Sequence, residues 1–337
     1  MKSHFYYPHA EISDSIPESE GCYVNRKPGN YIWTVKTYGL LKARGFDCAI
    51  CTEIPEAGII FTHRDFLPDD LVPGPAQLFI CIAADVQRHP YAQQHLMQNQ
   101  HDKLIRDKSV LWPGTYMPHW PESGLRPRDP ARGDQFSNIA YVGLNSRLAP
   151  QLKSEKFARL MAEHGFQFQL IDPEKWNDYS NVDAVLAVRS FAALPFYKLP
   201  PTKLFNAWLA GVPALLGHES AYQGERKNPL DYFEVNSTEQ IIEVLEQVRA
   251  DPALRAAIAD NCAQRAQEIT LDKITERWIA YCVEVAISAY AAWRSLNGGQ
   301  MRHFIRLRRL SYEWHKFSEF TSRVPGALHK QVMRLWP

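Results

Sequence analysis

The order of elements between residues 183 and 216 constrains the fold more than any other feature of this chain. Residues 183–188 and 212–216 are short apolar runs, as expected of buried strands. Two prolines precede a predicted helix over residues 203–210, since proline is tolerated where the first N–H groups of a helix have no partner, and Gly211 ends that helix. A strand, a loop with cations, a helix and a second strand form the arrangement that α/β domains use to hold an anion.

The same alternation runs along the rest of the chain. Strands that alternate with helices at this spacing favour a parallel, doubly wound sheet. A chain of 337 residues is long enough for two domains, each with its own core. Besides the two runs above, the predicted strands cover residues 5–7, 46–51, 58–61, 77–83, 139–142 and 166–171, and the longer predicted helices cover residues 31–44, 91–100, 150–164 and 271–296.

A change of composition at residues 111–136 marks the predicted domain boundary. This stretch is rich in proline and aromatic residues, which suits a semi-rigid connection better than the interior of an element. We therefore predict an N-terminal domain over residues 1–135, with the proline-rich linker at its end. A second domain follows over residues 136–285, and C-terminal helices with a basic tail occupy residues 286–337.

Composition argues against several classes of protein. A net charge of +1 argues against a general polyanion binder, and the sequence has no basic and aromatic array typical of nucleic-acid binding. No apolar run reaches the roughly 18 residues of a membrane span, and the first residues have no signal-peptide core. Cys48 and Cys51 spell C-x-x-C inside a strand-like run, so we expect buried reduced thiols rather than a redox site. A cytoplasmic protein is therefore expected.

The helix after the two prolines carries a family resemblance. It resembles the donor-site helix of GT-B glycosyltransferases at Lys203, Asn206, Ala207, Ala210, Gly211, Val212 and Pro213. Many of those enzymes have the signature E-A-x-A-x-G-x-P, whose Glu holds the nucleotide ribose, and Asn206 stands at that position here. The Lys-x-x-Asn spacing is similar to the fucosyltransferase type, although Thr202 stands where that motif has a Glu. The resemblance covers roughly residues 136–285.

The resemblance implies an α/β protein with two Rossmann-like, doubly wound parallel-sheet domains that face each other across a cleft. The nucleotide-diphosphate sugar would bind the second domain, and a glycan or lipid-linked acceptor would bind the first. We therefore expect a glycosyltransferase. A nucleotide-sugar epimerase and a non-catalytic nucleotide-sugar-binding module remain as alternatives.

Candidate donor-binding residues follow the predicted strands and begin the helix of the second domain. Arg189 follows a strand and Lys203 lies in the first turn of a helix, where a cation opposes the helix dipole unless an anion lies between them. Both would neutralise the diphosphate, although a salt bridge for Arg189 and a solvated lysine are the alternatives. Asn206 would bond the ribose or else the backbone. The remaining candidates are Asn145, Ser146, Arg147, Thr202 and the weaker Lys198, which stands where many retaining enzymes have a Glu.

Candidates for acceptor activation lie in the first domain. An inverting transfer needs a base to deprotonate the acceptor hydroxyl, and Asp85 and His9 each follow a predicted strand. A capping aspartate and a satisfied histidine are the alternatives. Arg88 and His89 could meet an anionic acceptor or the far side of the donor. No metal-binding motif is evident, so we expect metal-independent chemistry without a cofactor.

The C-terminal tail from Arg302 is basic and amphipathic. Its arginines and lysines alternate with aromatic and aliphatic residues at near-helical spacings. Such a helix can lie on an anionic membrane surface, which would make the protein peripheral to the membrane. Alternatively, it packs on the protein with solvated arginines. The basic residues are Arg302, Arg306, Arg308, Arg309, Lys316, Arg323, Lys330 and Arg334, and the apolar residues are Phe304, Leu307, Leu310, Trp314 and Phe317.

Overall fold

Two parallel β-sheets, one after the other along the chain, organise the computed structural model, which describes residues 2–9, 28–106 and 111–322. The expectations for Arg323, Lys330 and Arg334 fall outside the described residues. Within the described part of the chain, none of the helices has the length and apolarity needed to cross a bilayer. The predicted α/β class with parallel, doubly wound sheets is confirmed.

The first sheet has six parallel strands in the order β2-β1-β3-β4-β5-β6. These strands are β1 (Ser3–Tyr6), β2 (Cys48–Cys51), β3 (Gly58–His63), β4 (Gln77–Ala84), β5 (Gln94–Met97) and β6 (Gly114–Tyr116). The second sheet has five parallel strands in the order β11-β10-β9-β7-β8. They are β7 (Asn138–Val142), β8 (Gln167–Ile171), β9 (Ala184–Ala187), β10 (Ala214–Leu216) and β11 (Phe233–Glu234).

Helices connect these strands and extend beyond the second sheet. Helix α1 covers residues 29–43 and consists of Gly29–Tyr31, a π-helical segment Ile32–Lys36, and Thr37–Ala43. Helix α8 covers residues 271–294 and consists of Leu271–Ala280, a π-helical segment Tyr281–Ala286, and Ile287–Arg294. The others are α2 (Lys103–Arg106), α3 (Glu155–Glu163), α4 (Thr202–Ala210), α5 (Ser220–Glu225), α6 (Thr238–Ala250), α7 (Pro252–Ala266) and α9 (Gly298–Ser322).

Both faces of the first sheet are buried. On β4, Ile80 packs on the face that α1 and α8 cover, and Phe79 packs on the opposite face, together with Trp112 and Tyr312 of α9. A parallel sheet covered on both faces produces continuous apolar runs rather than alternating ones. This explains why β3 and β4 are recognisable as strands in the sequence.

The predicted helix over residues 91–100 is wrong, because this segment contains β5. The stretch has four glutamines and one each of alanine, leucine and methionine, all of which favour helices outside a tertiary context. Between β4 and β6, however, His95, Leu96 and Met97 are buried, and the pairing of β5 with both neighbours decides its conformation. The predicted linker likewise loses Gly114–Tyr116 to the first sheet, where they form β6.

The C-terminal helices return to the first sheet. The Tyr290 hydroxyl donates to the Ala76 carbonyl oxygen at 3.2 Å, and Trp293 Nε1 donates to the Gly74 carbonyl oxygen at 3.0 Å. Further along, the Tyr312 hydroxyl donates to Asp69 at 2.8 Å. The segment from Tyr290 to Tyr312 therefore packs on the first domain. The domain limits at residues 135 and 285 stay predictions.

Candidate functional site

The strand order of the second sheet identifies one crevice. Because β7 lies between β8 and β9, the chain connections leave β7 and β9 in opposite directions along the sheet. In open α/β sheets, ligands bind outside the carboxyl ends of the strands at such a reversal. Residues 143–147 follow β7 and Arg189 follows β9, so this crevice brings together several of the residues that the sequence singled out.

Lys203 lies in the first turn of α4 and points over β7. Its Nζ is 5.4 Å from the centre of the Tyr141 ring. A Cβ atom at Gly143 would lie 3.0 Å from Tyr141 and 3.1 Å from Lys203 Cε, so any side chain here would push these two side chains outward by a few tenths of an ångström. Burial, together with the charges of Arg189 and Arg147, lowers the pKa of Lys203 to about 8, although Glu219 opposes the shift. An anion bound nearby would therefore stabilise the protonated form of Lys203.

Arg189 is paired with Glu219, a residue that the sequence analysis missed. Arg189 Nε donates to Glu219 Oε2 at 3.1 Å. Glu219 follows β10 at the start of α5 and is buried. Burial raises the pKa of this carboxyl against the opposing effects of Arg189 and Lys203. Burial alone would lower the pKa of the Arg189 guanidinium, but the larger combined effect of Tyr222 and Glu219 raises it.

The turn after β7 places a third cation beside this pair. Asn145, Ser146 and Arg147 form an exposed 3₁₀ turn at the mouth of the crevice. The Arg147 charge contributes to the lowered pKa of Lys203 and opposes the rise that burial causes in the pKa of Tyr141, so the guanidinium lies within electrostatic reach of the crevice. Asn145 and Ser146 are exposed and lie close to the crevice in the chain. The sequence signal for all three was their position after a strand.

Asn206 and the remaining donor candidates lie at different depths. Asn206 is buried on α4 and its side chain hydrogen-bonds the Tyr179 hydroxyl. Part of its amide is therefore engaged within the protein rather than open to a ligand. Thr202 is the half-buried first residue of α4, and Lys198 is exposed in the loop before it. Lys198 influences the pKa of Asp102 in the first domain, which places its charge on the side of the crevice that faces that domain.

The first sheet has its own reversal between β1 and β3. His63 is the last residue of β3 and His9 follows β1, with the His9 ring 5.0 Å from the Tyr7 ring and 5.5 Å from the Phe66 ring. Burial lowers the pKa of His63 while Asp65 and Asp85 oppose that shift. Burial lowers the pKa of His119, in the segment after β6, and the Asp85 charge opposes that shift too. Asp85 therefore lies within electrostatic reach of two histidines that the sequence analysis left unassigned.

The backbone before Asp85 is unusual. Ala84, the last residue of β4, has a φ of 49°, a left-handed conformation that residues other than glycine rarely adopt. A bulge against β5 lies at the same point of the strand. Bulges and left-handed residues turn the chain sharply and cluster at functional sites. Asp85, which is exposed, emerges from this turn.

Arg88 and His89 occupy structural positions in the following turn. The His89 ring is buried, with Nδ1 accepting from the backbone N–H groups of Tyr91 and Ala92, and Nε2 bonded to the Pro68 carbonyl oxygen. Both ring nitrogens are used, and burial lowers the pKa of His89 to about 4. The Arg88 guanidinium lies over the Trp112 ring at 4.4 Å from its centre. These hydrogen bonds give His89 a structural role that needs no acceptor substrate. Contact between Arg88 and the acceptor substrate stays a prediction.

Side-chain hydrogen bonds join the two domains beside the crevice. All of them end on α5, the helix that starts directly after Glu219. Asn99 Nδ2 donates to Ser220 Oγ at 3.0 Å, and Gln100 Nε2 donates to Glu225 Oε1 at 2.8 Å. The Tyr116 hydroxyl donates to the same oxygen of Glu225 at 2.5 Å. Helix α5 therefore connects the Arg189–Glu219 pair with the first domain.

Comparison with known proteins decides the fold. No protein-family model matches the chain, and no curated protein matches it by sequence. The structure of HepE from Anabaena in complex with UDP matches at 11% identity with a TM-score of 0.52, and the match covers 85% of this chain and 100% of HepE. The chain has the GT-B fold. The HepE complexes with UDP and glucose and with UDP-glucose each match at a TM-score of 0.50, over the same shares of the two chains, at 11% and 12% identity.

The GT-B fold accounts for how the two crevices are arranged. The carboxyl ends of both sheets carry the singled-out side chains, and α5 joins the domains next to them. Among the described residues, no three His, Cys, Asp or Glu side chains gather as the ligands of a metal ion would. Glu219 could have been found in the sequence by the rule that identified Arg189, since it follows the short apolar run of β10 after two residues.

Proposed function

We propose that this protein is a glycosyltransferase, which transfers a sugar from a nucleotide-diphosphate sugar to a hydroxyl group of a glycan or lipid-linked acceptor. The observation that carries the proposal is the cluster of Arg147, Arg189 and Lys203 around the crevice of the second sheet. The charges of Arg189, Glu219 and Arg147 all influence the pKa of Lys203, and these four groups together have an excess of two positive charges when Lys203 is protonated. A diphosphate, with about two negative charges, would balance this excess.

The proposed reaction uses these cations on the leaving group. The acceptor hydroxyl attacks the anomeric carbon while the bond from that carbon to the β-phosphate oxygen breaks, so negative charge grows on the departing diphosphate. Cations already fixed beside this group stabilise the growing charge without having to reorganise. The acceptor proton goes to a base in an inverting reaction, for which Asp85 is our first choice and His9 the second. In a retaining reaction the leaving phosphate itself takes that proton.

A uridine nucleotide is the first donor to test. The HepE structures with which this chain shares its fold contain UDP, UDP with glucose, and UDP-glucose. Likeness at 11% identity does not transfer a substrate, so the test includes UDP, GDP, CDP, ADP and TDP. A ligand present at a hundred times its dissociation constant adds about 2.7 kcal/mol to the free energy of unfolding, which a thermal-shift assay detects readily.

Alanine variants at the two central cations test the donor site. We expect Lys203→Ala and Arg189→Ala to weaken binding of the nucleoside diphosphate by roughly tenfold to a hundredfold, as befits one lost charge-assisted hydrogen bond. Binding of the bare nucleoside should change little, since it has no phosphate. Lys175→Ala removes an exposed lysine of the same domain and serves as the matched control. Equal losses for nucleoside and diphosphate would show that these residues do not contact the phosphates.

Turnover separates the proposed enzyme from its alternatives. With a donor labelled in the sugar, a glycosyltransferase moves the label to an acceptor or, slowly, to water. An epimerase converts the sugar while it stays on the nucleotide, and a binding module leaves the donor unchanged. The last two outcomes would each overturn the proposed activity while preserving the donor site.

We further propose that the protein works at the cytoplasmic face of a membrane through helix α9. Arg308 and Tyr312 face the first domain, whereas the outer face of α9 exposes Leu307, Leu310 and Trp314 to 39%, 60% and 41%. Exposed arginines at positions 302, 306 and 309 flank this apolar row. Apolar side chains bordered by cations suit the interface of an anionic bilayer. Such a location would bring a lipid-linked acceptor to the cleft.

A further inference from the structure

Glu219 has an unused oxygen in the middle of the proposed donor site. The residue is only 1% exposed, and its Oε2 accepts from Arg189 Nε at 3.1 Å. Its other oxygen, Oε1, is buried and has no hydrogen-bond partner among the described residues. Although Glu219 stands at the N-cap position of α5, its side chain makes no capping hydrogen bond, and the Ser220 N–H donates to the Pro195 carbonyl oxygen instead.

A buried carboxylate oxygen without a donor is costly. Most buried polar side-chain atoms have at least one partner, and an unsatisfied group has lost its water without a replacement. An apolar residue in place of Glu219 would avoid this cost. We therefore expect the missing hydrogen-bond donor to belong to a ligand that binds beside Oε1. The arriving group must carry a hydrogen, because a phosphate oxygen would be repelled by the carboxylate.

The position of Glu219 narrows the choice of ligand group. On one side stand Arg189 and Lys203, whose charges both influence the carboxyl of Glu219. On the other side, the next residue, Ser220, accepts a hydrogen bond from Asn99 of the first domain. A ligand group at Oε1 therefore lies between the diphosphate and the acceptor domain. In a nucleotide sugar bound with its diphosphate on the cations, the sugar that is transferred occupies that place.

We infer that Glu219 Oε1 accepts a hydrogen bond from a hydroxyl group of the donor sugar, which makes Glu219 a residue that determines sugar specificity. The inference rests on the proposed function, because it requires a nucleotide sugar in this crevice. The two carboxylate oxygens differ in their partners: Oε2 pairs with Arg189, and Oε1 selects a sugar with a hydroxyl at the matching carbon.

The test compares binding of UDP and UDP-glucose to wild type and to Glu219→Ala, or of GDP and GDP-mannose if wild type prefers guanosine. We expect UDP-glucose to bind about tenfold or more weakly to the variant, since a hydrogen bond to a charged group is lost. UDP should bind equally well or more tightly, because a negative charge has left the neighbourhood of the phosphates. These changes of opposite sign distinguish a contact with the sugar from a general loss of the site.

Deoxy analogues of UDP-glucose, or of GDP-mannose where the guanosine pair is used, identify the hydroxyl. Wild type should discriminate against one of the 2-, 3-, 4- and 6-deoxy sugars by about tenfold or more, as expected of one lost charge-assisted hydrogen bond. Glu219→Ala should bind that analogue and the parent sugar nucleotide equally well, because the partner is already missing. Glu268→Gln changes a carboxylate of the same domain that pairs with Lys227 and Arg265, and serves as the control that keeps the discrimination.

Three outcomes would overturn the inference. Equal losses for UDP and UDP-glucose in the variant would indicate a structural role, and unchanged binding of both would indicate none. Discrimination that survives in Glu219→Ala would place the sugar hydroxyls elsewhere. These results leave the donor site itself standing. Failure of every nucleoside diphosphate to bind wild type would instead remove the proposed function, and the inference with it.

Discussion

Lys203 gives the proposed donor site a pH dependence with a definite sign. Its pKa in the empty site is about 8, and a bound diphosphate stabilises the ammonium form, so binding raises that pKa. Donor binding should therefore take up a proton between pH 8 and 9, and UDP affinity should fall as pH rises above 8. Calorimetry at pH 8.5 in two buffers of different ionisation enthalpy measures this uptake. Lys203→Met should abolish it, and an uptake that persists in the variant would assign the proton to another group.

Asp85 is the residue on which the proposed acceptor chemistry depends. Asp85→Asn preserves shape and removes basicity, so we expect turnover to fall by roughly a hundredfold or more while donor affinity stays nearly constant. Steady-state rates of sugar transfer, with the donor dissociation constant measured in parallel, check this. His9→Ala is the companion variant. Near-normal turnover of Asp85→Asn would remove Asp85 from the mechanism and favour His9, or a retaining reaction with the leaving phosphate as base.

Sequence position alone located one part of the site and missed the other. Arg189 and Lys203 could be predicted because strand ends and helix starts of an α/β sheet face the crevice. Glu219 also follows a strand, β10, after two residues, but its contact with Arg189 on the neighbouring strand's loop is what places it in the crevice. The sequence could not bring His63 and His119 together, because they follow different strands, β3 and β6. Their common neighbour Asp85 lies in the turn after a third strand, β4. A sequence shows which residues follow strands, and tertiary pairing shows which of them meet.

At the scale of elements, the burial of a segment in the sheet determined its secondary structure even where its residue propensities favoured a helix. The strands β3 and β4 are apolar throughout, and their pattern was sufficient for prediction. In β5, helix-favouring residues form a central strand because both neighbouring strands need a partner there. Helix α9 shows what an amphipathic pattern does not predict. The pattern indicated one apolar face, but the structure divides the apolar residues between two faces: Phe304 packs against Trp293, and Leu310 lies in solvent.

The exposed face of α9 provides a test of the membrane proposal at this scale. We expect full-length protein to sediment with phosphatidylcholine vesicles that contain phosphatidylglycerol and to remain in solution with phosphatidylcholine alone. Leu310→Gln combined with Trp314→Gln should reduce sedimentation several-fold, because the apolar contribution is lost. The variant should keep most of its thermal stability, since Leu310 is 60% exposed and Trp314 is 41% exposed. Truncation before residue 302 is a poorer test, because it also removes Tyr312 from the first domain.

One result would contradict the membrane proposal directly. If wild type and the double variant sediment equally at low salt, the outer face of α9 does not contact lipid. Arg306→Gln serves as the electrostatic counterpart on the same face. Its effect should shrink as salt is added, because added salt screens an exposed charge from the bilayer.

At the scale of the whole molecule, Trp278 links the domains. This α8 residue is fully buried, and its ring is stacked on Trp120 at 6.4 Å and lies 6.2 Å from the Phe61 ring of β3. Trp278→Ala should lower the free energy of unfolding by about 3–5 kcal/mol through the cavity that it leaves. Trp278→Phe should cost less, because it keeps a ring and removes an indole N–H that has no partner among the described residues.

Amide hydrogen exchange locates the effect of the Trp278 variants. We expect Trp278→Ala to increase exchange in β1 and β3, although the substituted residue lies far along the chain from both strands. Loss of protection confined to α8 itself would show that the helix only rests on the first domain. Thermal melting of both variants provides the corresponding order of stability.

The return of α8 and α9 to the first sheet sets an order of events during synthesis. The strands and helices over residues 138–266 belong to one contiguous segment and can fold as soon as they leave the ribosome. The first domain is made earlier, yet it lacks Trp278 and Tyr281 until α8 has been made. The half that is synthesised first should therefore finish folding last. Until then its uncovered sheet is a substrate for chaperones and proteases.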